Sequence, residues 1–399
     1  MVDVAQAVAA AGRDSYGRIV ATLIRVTGDW TLAEDCAQEA LAAALERWPG
    51  DGIPGNPGGW LLTVARNRAI DVLRRAAVEN RKLQEVAMLG EPAPEPAGEI
   101  EDDRLRLIFT CCHPALAPEA RVALTLRTIA GVPTADIARA FLVGEPAMAR
   151  RIGRAKAKIA DARIPYRVPE GPALAERLPG VLAVLYLLFT RGYDADGEPA
   201  FADEAIRLAR LLAELMPGEP EAASLLALFL LQHSRRHARR DAAGDLVTLA
   251  KQDRSRWDRA AIAEGLEILL GTPVAGPYAL QARIAACHAT ARTPAETDWR
   301  SIAGWYDELA RIQPTPVIEL NRAVAHGYAY GAAAGLELLK AIEGLDNYPA
   351  AVAVEADLTA RAGDTGRAVA LFRRAAELAP SEVERRALLA RAADLGAAG

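Results

Sequence analysis

The sequence predicts an all-α chain: two small helical domains followed by a long helical-repeat extension. Three observations carry this. Apolar residues make up 51% of the 399 but aromatics only 5%, so the apolar positions are mostly Ala, Leu, Val and Ile. Alanine is the best helix former and adds little to a strand. Spacings of three and four residues run through the whole chain, with no convincing alternating strand. This length is too great for one compact core, so several domains are expected.

Charge is unevenly spread. The net is −1 over 1–76, −4 over 77–101, +6 over 102–168 and −6 over 169–399. One basic block inside an acidic chain is the footprint of a polyanion-binding module, although a charge run can also be a solvated face. The strongest apolar run, Leu178 to Thr190, is 13 residues long. A spanning helix needs about 20, so the run reads as a buried core helix and no membrane partner is expected. The first residues carry Asp3 and no basic cluster ahead of an apolar stretch, so no secretory signal is read there. Four cysteines, two of them adjacent, form no disulfide framework and fit a reducing cytoplasm.

In the first segment (1–76), Ala33 begins a helix whose expected buried side is Cys36, Ala40, Ala44, Leu45 and Trp48. Its polar side shows Asp35, Gln38 and Glu39. A Gly/Pro-rich loop, Pro49 to Gly59, leads to a second helical string, Trp60 to Arg75. By itself that string also fits an Asp71–Arg75 pair at i, i+4 and a core role for Trp60. Gly90 to Gly98, with three prolines and two glutamates, reads as a stiff solvated linker within 77–101.

The basic block (102–165) reads as three helices over Leu116 to Asp161. Pro118 suits a first helical turn, and Val122, Leu124, Leu126 and Ile129 supply the apolar face. Gly131 ends that helix. Thr134 caps a short one through Phe141, with Ile137, Ala138 and Phe141 facing inward. Leu142–Val143–Gly144 forms a turn, and Pro146 opens a longer helix. There Met148, Ile152 and Ile159 make a buried stripe, while Arg150, Arg154 and Lys158 recur at steps of four on the other side, flanked by Arg151 and Lys156. A short helix, a tight Gly-containing turn and a basic amphipathic helix make a helix-turn-helix. Such a helix buries its stripe on its own domain and offers Arg and Lys to phosphates and guanine edges.

The extension (170–399) repeats a spacing of 4, 3 and 5 residues: Ala205, Ala209, Leu212, Pro217, and again Ala368, Phe372, Ala375, Pro380. Weaker copies are Ile302, Tyr306, Leu309, Pro314 and Ala334, Leu338, Ala341 with Asp346. The starts at 302, 334 and 368 lie close to the 34-residue tetratricopeptide period. A generic helical bundle would show similar spacing; the repeat array is the reading taken.

Residues 12 to 165 together resemble the sigma-70 family of bacterial transcription initiation factors, in its extracytoplasmic-function group. The Ala33–Glu34–Asp35…Gln38–Glu39 string looks like that family's polymerase-clamp-binding helix. The Trp60…Ala65–Arg66–Asn67…Asp71…Arg74–Arg75 string looks like its −10-element helix, and 102–165 like its −35-reading domain. Cys36 stands where an aliphatic residue is usual, and Ala149–Arg150 where Lys or Ser is frequent. The rest looks like the tetratricopeptide-like extension of one subgroup, thought to regulate in cis.

The resemblance implies that Asp35, Gln38 and Glu39 face a basic coiled coil on the RNA polymerase core. It implies that Arg66, Asn67, Arg74 and Arg75 meet the −10 region of promoter DNA. The loop around Asp51 and Asn56 would receive a flipped base, and Arg150, Arg151, Arg154, Lys156 and Lys158 would meet the −35 major groove. An unknown regulator on the extension is a further expected partner.

Cys111–Cys112–His113 invites a metal reading, but zinc needs four ligands and no second pair is near, so a core and turn role is expected. Asp194 to Glu198 suggests a calcium loop, yet its glycine is misplaced and no bidentate Glu follows. No nucleotide-binding loop or nucleophile motif appears, so neither enzyme chemistry nor a cofactor is expected. The rival reading is a repeat-based signalling adaptor whose helix-turn-helix makes it an ordinary transcriptional regulator; an enzyme using the Cys/His cluster is a third.

Overall fold

The computed structural model describes residues 4–81, 103–141, 143–193, 199–241, 244–274, 276–342, 344–345, 347–379 and 381–398. The Gly90–Gly98 linker, Leu142 of the expected turn, the Asp194–Glu198 loop, Asp346 and Pro380 lie outside them. Among the described residues the chain is helical with no strand, one isolated bridge joining Arg240 and Leu246. It divides into two compact units, Met1–Leu188 and Phe189–Gly399. The boundary falls inside a helix, so 170–188, expected in the extension, belong to the first unit.

In the first unit, α1 (Val4–Thr27), α2 (Trp30–Asp51) and α3 (Pro57–Arg81) pack against one another. α3 carries helix past residue 76, into what the sequence assigned to the linker. Asp29 caps α2, its Oδ1 accepting from Thr31 N at 2.8 Å and Leu32 N at 3.0 Å. Ala33, Cys36, Ala37, Ala40, Ala44 and Trp48 form the buried seam of α2. Leu45, expected in it, is 50% exposed. It lies nine residues after Cys36, about half a turn round the helix from it.

The basic block folds into α4 (Asp103–Cys111), α5 (Pro118–Thr128), α6 (Thr134–Ala140) and α7 (Glu145–Asp161). Pro118 opens α5 as its composition requires. Thr134 is the first residue of α6 rather than its cap, and Phe141 lies just beyond that helix, half-buried. Cys111 and Cys112 are core residues, Cys112 Sγ lying 3.8 Å from Thr125 Oγ1. Burial pushes the Cys112 thiol up to about 11. His113 takes the turn role, its Nδ1 accepting from Ala115 N at 3.2 Å.

α8 (Pro172–Tyr193) is long and apolar enough, with mean hydropathy 1.5, to cross a membrane by length and composition. Leu178, Val181, Leu182, Leu185 and Leu188 are nevertheless buried against protein, while Leu187 is exposed. Arg177 of α8 donates to the Phe109 carbonyl of α4.

The second unit contains α9 (Pro199–Leu215), α10 (Pro220–His233), three short 3₁₀ turns between Arg236 and Arg256, α11 (Arg259–Leu270), α12 (Pro277–Thr290) and α13 (Trp299–Ile312). It continues through α14 (Pro316–Tyr330), α15 (Ala332–Lys340), α16 (Pro349–Arg361), α17 (Thr365–Glu377) and α18 (Glu382–Ala398). From α12 onward each helix packs on the next, as in a repeat array. Ala205, Ala209 and Leu212, Ile302 and Leu309, and Ala368, Phe372 and Ala375 are all buried at their repeat positions. The Ala334 copy is displaced: Ala341 is exposed, and α15 instead buries Gly335, where a Cβ would stand 2.6 Å from the Ala323 carbonyl.

The first segment rests directly on the basic block. A Cβ on Gly17 of α1 would stand 2.8 Å from the Ile129 carbonyl, so only hydrogen fits there. Gly17→Val should lower stability by about 1–3 kcal/mol through overpacking, read as a lower urea midpoint. An unchanged midpoint would mean this contact does not hold the unit together.

Candidate nucleic-acid interface

Each candidate surface is set by the seam on the other side of its helix. On α2, Asp35, Gln38 and Glu39 are exposed, opposite the Cys36–Ala40 side. Glu39 forms an ion pair with Arg68 of α3, whose Nη2 lies 3.3 Å from Oε1. The three side chains predicted to face a partner therefore share one open face, with Glu39 already paired within the chain.

On α3, Leu61, Ala65 and Ala69 recur at steps of four and are buried, which turns Arg66, Asn67, Arg74 and Arg75 outward. Trp60 is half-buried, its ring centroid 5.6 Å from that of Trp48 in an edge-on contact. Asn56 is exposed but occupied, Oδ1 accepting from Gly59 N at 2.9 Å and so capping α3. Its amino group and the second lone pair of Oδ1 remain for a base. Asp51, the last residue of α2, is exposed.

On α7, Met148, Ile152, Ala155 and Ile159 are buried, as the sequence stripe requires. Arg150, Arg154 and Lys158 are exposed and Arg151 half-buried. Gly153 and Ala157 leave a shallow trough of about 420 Å³ between Arg150 and Arg154. A narrow helix face with two long cations beside it suits approach to a groove wall.

Lys156 departs from the expectation. It turns inward and pairs with Glu34 of α2, Nζ to Oε1 at 2.8 Å, its side chain only 17% exposed. The reason is positional: Lys156 follows Ile152 by four residues and so stands on the flank of the buried stripe.

Glu34 itself was not singled out by the sequence. Its side chain is 6% exposed, and Arg127 Nε reaches Oε2 at 3.3 Å. Thr128, 94 residues further along, donates from Oγ1 to Oε1 at 3.2 Å. Beside it, burial first and the Glu34 carboxylate second push the Tyr16 hydroxyl up to about 12. Two further ties accompany this cluster: Arg25 to Asp103 at 2.9 Å, and the Tyr166 hydroxyl placed between the carbonyls of Ala21 (3.0 Å) and Asp103 (3.2 Å). The signal available in advance was Lys156 standing on the stripe. Its partner could not be named without the fold.

Among the described residues, no group of three His, Cys, Asp or Glu is placed to hold a metal ion.

Glu34→Ala would leave Lys156 and Arg127 facing a buried void, and should cost about 3–5 kcal/mol in urea unfolding. A Glu34→Ala, Lys156→Met double-mutant cycle should give a coupling of about 0.5–3 kcal/mol. Strict additivity would show the pair to be energetically idle.

Comparison with known proteins matches this division. Residues 13–78 match the family model for Sigma-70 region 2, and 106–159 that for Sigma-70, region 4. Residues 177–272 match a family of unknown function, DUF6596. The chain is 42% identical to the uncharacterized protein R00370 of Rhizobium meliloti, over 91% of this chain and 89% of that protein. It is 31% identical to the ECF RNA polymerase sigma factor SigL of Mycobacterium tuberculosis, over 32% of this chain and 73% of that one. It is 29% identical to the probable ECF RNA polymerase sigma factor SigI of the same species, over 39% of this chain and 56% of that one, thus spanning about half of SigI. The crystal structure of yeast Tom70 aligns over 97% of this chain and 83% of that one, at 12% identity and a TM-score of 0.34.

Proposed function

The chain belongs to the extracytoplasmic-function group of the sigma-70 family of transcription initiation factors, and on that premise we propose how it divides the work. It binds RNA polymerase core through α2 and reads two promoter elements through α3 and α7. The observation that carries the proposal is α7 turning Arg150, Arg154 and Lys158 away from its buried stripe. That is the arrangement a major-groove helix needs, since cations on the outer face can serve both phosphates and guanine edges.

Asp35, Gln38 and Glu39 present two carboxylates and an amide to a basic coiled coil of the polymerase clamp. Arg66, Asn67, Arg74 and Arg75 meet the −10 region. Asp51 and the amino group of Asn56 receive a base flipped out of the opening duplex, where an unstacked base exposes edges that can be hydrogen-bonded. Bond-making belongs to the polymerase, and the working compartment is the cytoplasm. The helical extension regulates the factor in cis.

Polymerase core plus this protein should initiate at a cognate promoter with no other sigma factor. Failure to initiate, with binding of the protein alone to a palindromic site, would favour an ordinary regulator instead. The double substitution Arg150→Ala, Arg154→Ala should weaken promoter binding at least about tenfold while core association stays near normal. Asp35→Ala with Glu39→Ala should do the reverse, and equal loss in both assays would contradict the division. A chain ending after Tyr193 keeps α8, and with it Arg177 on Phe109. Its promoter output should differ from that of the full chain; identical output would remove cis regulation.

A further inference from the structure

Within the second unit, the chain between α10 and α11 forms, among its described residues, only three short 3₁₀ turns and the isolated Arg240–Leu246 bridge. So long a connection without regular structure is uncommon in a compact domain and usually functional. Part of it, Asp245 to Gln252 (DLVTLAKQ), crosses one face of the repeat array. It shares cavity walls with Val324 and Tyr328 of α14, Ala353 and Asp357 of α16, and Leu388 and Arg391 of α18. α15 and α17, which alternate with these helices along the chain, contribute no wall of either cavity. In stacked helix pairs the alternate helices line one extended surface, and that surface is the one such arrays use for binding.

The strap sits loosely on this face. Leu246, Val247, Thr248 and Leu249 are only half-buried. Cavities of about 540 and 300 Å³ are walled by strap and helices together, and apolar surface that faces a gap loses its packing partners. Among the described residues the backbone hydrogen bonds of the strap stay within the connection, and none reaches α12 to α18. Val247 N donates to the Arg239 carbonyl and Lys251 N to the Thr248 carbonyl, both at 2.8 Å. Gln252 is buried with Oε1 unpaired, which opposes the seating.

Charge pins the two ends. Asp245 Oδ1 accepts from Arg386 Nη2 at 2.6 Å, and Lys251 Nζ donates to Asp394 Oδ2 at 2.5 Å, both partners lying on α18. The four side chains are between 36% and 66% exposed, so each pair contributes little. The strap thus carries an acid, an apolar run and then a base. The array answers with Arg386, the apolar walls at Val324, Ala353 and Leu388, and Asp394.

We propose that this face of the array binds an extended segment of a partner protein with that same pattern, and that residues 245–252 are its resident occupant, displaced when the partner docks. The partner's acid takes Arg386, its base takes Asp394, and its apolar side chains fill the space that Leu246, Val247 and Leu249 leave open. Because the strap is tethered, it competes at an effective concentration on the order of millimolar. A partner displaces it by filling the face more completely. Binding is measured without polymerase or DNA, so this proposal and the promoter reading fail separately.

The test is fluorescence anisotropy of a labelled peptide copy of residues 245–252, titrated with the full chain. A released chain, Leu246→Ser with Leu249→Ser, should bind the peptide saturably at one site. The unaltered chain should bind it at least about tenfold more weakly, because its own strap is in place. Arg386→Ala with Asp394→Ala in the released chain should weaken the peptide severalfold, as should exchanging the peptide's Asp and Lys. Each variant is checked for native helicity by circular dichroism. Asp245→Ala with Lys251→Ala leaves the apolar side chains in place and should bind the peptide severalfold more tightly than the unaltered chain. That variant keeps the test decisive if the released chain does not fold. No saturable binding to a folded released chain, equal affinity for released and unaltered chains, or indifference to the exchanged charges would overturn the proposal. So would a concentration-dependent dimer of the unaltered chain that the strap substitutions abolish, since the occupant would then be a second copy.

Discussion

A carboxylate withdrawn from water must be matched or it destabilises whatever buries it. Glu34 is matched three times, by Lys156, Arg127 and Thr128, and all three come from the basic block. The first unit is organised around that match. It fixes α2 against α5 and α7, and the close passage of Gly17 under the Ile129 carbonyl repeats the constraint in purely steric form. It also divides the cations of α7 into an inward one, spent on Glu34, and outward ones left for solvent or a ligand. The basic charge of residues 102–168 therefore overstates what is free to meet a polyanion.

Much of this architecture could be read from the residues because it depends on short periods. The α7 stripe, the α2 seam and the proline that opens α5 are local, and each formed as its spacing required. Leu45 is apolar among apolar neighbours in the sequence, but half a turn from Cys36, at its level of the helix, there is no core to enter. Glu34 failed for a different reason. It lies on the same side of α2 as Leu45, yet the basic block covers that side at Glu34 and leaves it open at Leu45. Nothing in the local sequence distinguishes the two levels. Asn56 shows a third limit, since the same amide oxygen that could pair with a base is also the ordinary cap of a helix starting just after it.

In the sequence the basic block (102–165) and the extension (170–399) divide just ahead of Pro172, but proline also opens helices, and Pro172 opens α8. That helix keeps its first turns with the sigma-type domains and gives its last residues to the extension, where Phe189 stacks on Phe229 with centroids 4.3 Å apart. In the extension itself, the repeat positions that succeeded are those where alanine or a large apolar residue faces a neighbouring helix. The displaced copy arose where two glycines, Gly327 and Gly335, let α14 and α15 approach more closely than any alanine allows.

The ammonium of Lys156 is a single resource with two possible claimants. An ammonium has three N–H donors, but with one on Glu34 and the side chain only 17% exposed, little of it faces outward; a phosphate that drew it out would leave Glu34 with Arg127 and Thr128. By thermodynamic reciprocity, whatever strengthens one attachment weakens the other by the same factor. Drawing Lys156 outward would thus cost one of the three ties that bind Glu34 of α2 to the basic block.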